Sequence, residues 1–138
     1  MPLLVTLTNA SGSRYRGKEA ILRSVEKALK REGVKHGRVD IIFLDDKELR
    51  RLHKQWFHRD TVTDVITFPL IEEPPIHAEI YISVPRARSQ ALEFGVSLAN
   101  ELCRLAVHGA LHVAGYDDAT DQQRHVMHQL ENKYISGL

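Results

Sequence analysis

The chain has 138 residues, 43% hydrophobic and 27% charged, which fits one compact domain and excludes disorder as the default state. Nineteen basic and eighteen acidic residues leave a net charge of +1, so affinity for a polyanion must come from a local patch. Cys103 is the sole cysteine, which excludes an intrachain disulfide.

No apolar stretch approaches the length of a bilayer span, and the N-terminal run lacks the basic region of a signal peptide. A soluble cytoplasmic protein is expected, built as a single domain over residues 1–138.

In chain order, Leu3 to Thr8 reads as a strand closed by a turn at Asn9–Gly12. Ile21, Leu22, Val25, Ala28 and Leu29 recur at helical spacing between Lys18 and Arg31, with Gly33 as the stop. Arg38 to Leu44 is β-branched and aromatic, hence a strand. Asp45 or Asp46 caps a helix whose expected buried stripe is Leu49, Leu52, Trp56 and Phe57.

Val62 to Phe68 is expected to be extended and to end at Pro69, before a proline-interrupted loop at Glu72–Pro75. Ala78 to Ser83 alternates as a strand, and Pro85 suits the first residue of a helix. Val96 to Val113 is the longest helical pattern and ends at Gly115. A last helix spans about Asp121 to Tyr134, amphipathic through Val126, Leu130 and Tyr134. The order predicts an α+β (mixed α/β) fold: a small mixed sheet of about four strands packed with about five helices.

The chemistry concentrates in His108-Gly-Ala-Leu-His112-Val-Ala-Gly115-Tyr-Asp-Asp118, at the end of the central helix. Histidines four apart share a helix face, with Cβ atoms roughly 5–6 Å apart. Both imidazoles can therefore reach one ion at about 2.0–2.1 Å. Gly115 can take the left-handed conformation that reverses the chain and returns Asp118 as third ligand.

The spacing is that of metzincin zinc proteases, but Gly109 stands where those carry the glutamate base. A bare His-x-x-x-His pair is more often structural. The added glycine and carboxylate favour a metal site. Three protein ligands leave a fourth position for water, the pattern of a catalytic zinc.

Three blocks between residues 38 and 134 resemble the YbeY family of bacterial metal-dependent endoribonucleases. The first runs from Asp45–Leu52 into Thr63-Asp-Val-Ile-Thr-Phe-Pro69, the second is Ala78-Glu-Ile-Tyr-Ile-Ser83, and the third is the histidine motif. The resemblance implies one Zn²⁺ per chain held by His108, His112 and Asp118, and a single-strand-specific endoribonuclease. It also implies action in rRNA 3′-end maturation and ribosome quality control, with precursor rRNA, the small ribosomal subunit and its associated factors as partners.

Two positions depart from the family. Asp118 aligns with its usual third histidine, and an anionic ligand there makes bound water less acidic and shifts preference towards Mn²⁺. Phe57 aligns with a family arginine, leaving Arg59 as the cation for the catalytic set of His108, His112 and Arg59.

Lys47, Arg50, Arg51, Lys54, His58 and Arg59, aided by Arg86 and Arg88, are either a solvated face or a phosphate track. Thr63 and Asp64 are either strand caps or groups that orient a histidine's second nitrogen. Trp56 and Phe68 read as core rather than base-stacking platforms, His125 and His128 as surface, and Cys103 as buried. Two competing readings are a metallopeptidase or amidohydrolase, which needs Glu79 or Glu101 as base, and a non-catalytic ribosome assembly factor with a structural metal.

Overall fold

A computed structural model describes residues 2–57 and 63–135. In chain order the elements are β1 (Leu3–Asn9), α1 (Lys18–Arg31), β2 (Gly37–Leu44), α2 (Asp46–Phe57), β3 (Val65–Ile71), β4 (Ile76–Ser83), α3 (Val84–Phe94), α4 (Leu98–Val113) and α5 (Asp121–Ile135). The α+β expectation and the element order both hold. The sheet order is β1-β2-β4-β3, with β1, β2 and β4 parallel and β3 antiparallel at the edge. Among the described residues no helix is long and apolar enough to cross a membrane.

Alternation along the strands sends Val39, Ile41, Phe43, Ala78, Ile80 and Ile82 into one fully buried face. Helices α1 and α4 pack there, and α4 lies centrally, touching α1, α3, α5, β3 and β4. Gly109 permits this approach. A Cβ at that position would lie 2.7 Å from Ile80 Cγ2 and 3.0 Å from Thr67 Oγ1. The residue that removes a protease base is thus also the one that seats the helix on the sheet.

Local signals explain the helix boundaries. Ser83 accepts from Arg86 N and Ser97 accepts from Asn100 N, so each hydroxyl caps a helix start. Gly95, at φ 69°, ends α3 in the left-handed conformation. The long pattern therefore begins at Leu98 rather than Val96, and Pro85 is the second helical residue rather than the first.

Three expectations need correction. Trp56 and Phe57 are not buried: they are 60% and 47% exposed, while Leu49 alone is buried on α2. The last turn of α2 lies against β3, which is the edge strand of the described sheet. Strand β3 does not stop at Pro69 but runs to Ile71 through a register shift. Proline is tolerated there because one side of an edge strand needs no ladder donor. On α5 the buried residues are Met127, Glu131, Tyr134 and Ile135, and Val126 is exposed.

Candidate metal centre

Helix α4 supplies His108 and His112 from one face, and its C-terminus supplies the reversal. Gly115 takes φ 106°, its N–H donates to His112 O at 3.0 Å, and Tyr116 N donates to Leu111 O at 3.0 Å. The turn is anchored from outside the motif, because Tyr116 Oη donates to Glu32 Oε1 at 2.5 Å and Tyr134 Oη donates to the other oxygen of the same carboxylate. Those bonds hold Glu32 below its usual range. Asp118 is thereby carried back towards the two imidazoles.

The three donor atoms converge. His108 Nε2 and His112 Nε2 are 3.2 Å apart, and Asp118 Oδ2 stands 3.2 Å from the first and 3.4 Å from the second. Ligands at roughly 2.0–2.1 Å from a tetrahedral ion are separated by about 3.3–3.4 Å, so the triangle has the right size for one ion.

Tautomers sharpen the argument. His112 Nδ1 donates to Tyr116 O at 3.0 Å and His108 Nδ1 donates to Glu131 Oε2 at 2.8 Å. Neither partner atom is a donor, since one is a carbonyl and the other a carboxylate. In their neutral form both imidazoles then present lone pairs at Nε2, facing each other and a carboxylate oxygen. That arrangement calls for a cation, and the donor set of two imidazoles and an acid suits a divalent metal.

Glu131, which the sequence pattern did not mark, is the residue behind His108. It is 4% exposed and its Oε1 also accepts from Arg104 Nη1 at 3.3 Å and His128 Nδ1 at 3.2 Å. Burial pushes its carboxyl up, but the bonds from His108 and His128 outweigh that and keep it below its usual value. Burial likewise disfavours charge on His108, while Glu131, Asp118 and Asp64 raise it on balance. The surroundings are tuned to hold positive charge. No local sequence signal marked Glu131, because which side of α5 is buried is set by its docking against α1 and α4.

Thr63 and Asp64 do not orient either histidine. Asp64 Oδ2 accepts from Gln90 Nε2 at 3.1 Å, and Thr63 Oγ1 reaches Val65 O at 3.5 Å. Both border the metal cleft, an opening of about 900 Å³ whose walls also include His53, Phe57, His108 and His112. A smaller cavity of about 280 Å³ adjoins it, sharing His108 and Asp118 and lined by Glu101 and Arg104.

Glu101 is 2% exposed with Oε1 unpartnered, and burial pushes its carboxyl up to about 7. Glu79, the other glutamate considered as a base, accepts from Tyr81 Oη at 3.1 Å on β4.

The cations divide. Lys47, Arg50, Arg51 and Lys54 are exposed along α2, with Arg51 paired to Glu48 at 2.8 Å. Arg86 instead reaches Asp46 at 3.6 Å, and Arg88 donates to Arg14 O at 3.4 Å. His58 and Arg59 lie outside the described residues. His125 and His128 are exposed and Cys103 is buried, as expected.

The family described as Endoribonuclease YbeY matches residues 8–138. The chain belongs to the YbeY endoribonuclease family. An Endoribonuclease YbeY from Persephonella marina is 31% identical over 97% of this chain and 92% of its own length. Another, from Chlorobaculum tepidum, is 39% identical over 78% of each chain. The solution structure of TM1509 from Thermotoga maritima superposes with a TM-score of 0.65 at 28% identity, covering 96% of this chain and 87% of that one. YbeY membership supports an endoribonuclease role.

Proposed function

We propose that this YbeY-family chain is a single-domain, zinc-dependent endoribonuclease acting on single-stranded RNA. In this reading it serves rRNA 3′-end maturation and ribosome quality control in the cytoplasm, alongside the small ribosomal subunit. The observation that carries the metal assignment is the convergence of two Nε2 lone pairs and Asp118 Oδ2 on one point. Family membership carries the choice of RNA.

His108, His112 and Asp118 hold the ion, one per chain. When bound, Zn²⁺ supplies Lewis acidity at a phosphoryl oxygen and acidifies water. Glu131 and the Tyr116 carbonyl fix the two imidazole rings, so the donors do not have to reorganise when RNA arrives. Asp118 offsets part of the ion's charge, and Arg59 neutralises charge developing on the phosphate.

The test is metal content and cleavage of a single-stranded RNA, measured on the same samples of wild type, His112→Ala and Asp118→Ala. Wild type is expected to carry one zinc per chain and to cleave, and both variants to lose metal and activity together. Full metal content in Asp118→Ala would remove Asp118 from the ligand set. Cleavage that survives complete metal loss would overturn the mechanism.

A further inference from the structure

The last turn of α2 exposes Trp56 and Phe57 side by side, an expensive arrangement for two of the largest apolar side chains. They do not hang free. Phe57 stacks on Phe68 of β3 with ring centroids 5.9 Å apart and planes 21° apart, and Trp56 meets the same ring edge-on at 5.9 Å. Phe68 in turn packs against Tyr81 of β4 at 5.8 Å, and His53 lies 5.2 Å from Phe57. A ridge of aromatic rings therefore rises from the sheet to the surface, held from below and open above.

Two further observations say what the ridge faces. His53 and Phe57 line the same cleft as His108 and His112. On α2, Arg50, His53, Lys54 and Phe57 follow the three- and four-residue spacing that places side chains on one helix face, and Arg50 and Lys54 are exposed. Aromatic faces beside exposed cations, at the rim of a site that takes a polyanion, complement an unpaired nucleic-acid strand: rings for bases and cations for phosphates.

We propose that Trp56 and Phe57, backed by Phe68, form a stacking platform for unpaired bases of the RNA strand, with Arg50 and Lys54 contacting the neighbouring phosphates. The inference rests on the RNA reading above and adds where the strand is gripped. A base in a duplex is already stacked on both faces and cannot use the platform, so the ridge selects single strands.

Trp56 is the only tryptophan in the chain, so its emission reports on the platform directly. The probe is a ten-nucleotide single-stranded RNA, titrated into full-length protein beside the same sequence annealed to its complement. The single strand is expected to quench Trp56 emission and the duplex to leave it unchanged. Phe57→Leu, which keeps apolar bulk without a π face, is expected to weaken single-strand binding by roughly 5- to 100-fold, and Phe57→Trp to restore it.

Fluorescence anisotropy of labelled RNA reads Trp56→Leu in the same way, and circular dichroism checks that each variant is folded. If wild type binds the single strand without quenching and Phe57→Leu binds equally well, the platform is overturned while the RNA reading stands. That outcome would leave the ridge to a protein partner. If wild type binds and cleaves no RNA at all, the RNA reading fails and the platform fails with it.

Discussion

Glu131 shows how a buried charge is held in place by what surrounds it. Its two oxygens take three donors, from His108, His128 and Arg104, so an otherwise costly carboxylate is fully engaged. Replacing it with glutamine keeps the shape but removes the negative charge behind His108 Nδ1. Metal affinity of Glu131→Gln is expected to fall about 10- to 100-fold in a competition titration against a chromophoric chelator, because such outer partners set ligand basicity and orientation. An unchanged dissociation constant would show that the Tyr116 carbonyl and the helix alone position the site.

The residue scale also marks the limit of what the sequence disclosed. The convergence of His108, His112 and Asp118 was readable because a helix period and one glycine reversal fix their geometry within eleven residues. Glu131 lies 23 residues beyond His108 on another helix, and its role exists only once α4 and α5 have docked. Helical spacing could place Trp56 and Phe57 on the same side as Leu49. It could not disclose that β3 would be the edge of the sheet and leave that end of α2 uncovered.

Among elements, the contact between α4 and the sheet controls the most. It positions both histidines, and it depends on Gly109 lying against Ile80 and Thr67. In Gly109→Ala the new methyl meets Ile80 Cγ2 at 2.7 Å, so helix or strand must shift. A loss of about 1–3 kcal/mol is expected in urea unfolding, as for other overpacked interiors. Since His108 is the adjacent residue, metal affinity should fall in the same variant. Wild-type stability there would mean that the Ile80 side chain moves aside at no cost.

Element boundaries were more legible than element environments. The starts expected at Pro85 and Val96 fall within one and two residues of the observed Val84 and Leu98, because proline and apolar spacing are local signals. Which side of α5 is buried depends on how it lies against α1 and α4, and there the register chosen from Val126 was one residue from the buried Met127.

For the whole molecule, the core and the metal centre are largely separate. Buried residues from β1, β2, β4, α1, α3, α4 and α5 form one apolar cluster without contribution from Asp118. Chelator-treated protein is therefore expected to unfold in one cooperative step by far-UV circular dichroism, with the transition lowered only by the loss of ligand stabilisation. Loss of the cooperative transition on metal removal would assign the ion a structural part in the fold.

The glycine reversal after α4 has a further consequence, for metal traffic. All three ligands belong to one helix end and the turn that follows it, and the helix pair is set as soon as α4 seats on the sheet. The Asp118 side chain is 39% exposed and lies outside the apolar cluster, so an ion held there would be reached from solvent without opening the core. Loading is then expected to proceed on the folded protein, so that a bound ion exchanges when a competing divalent metal is added without loss of the far-UV circular dichroism signal.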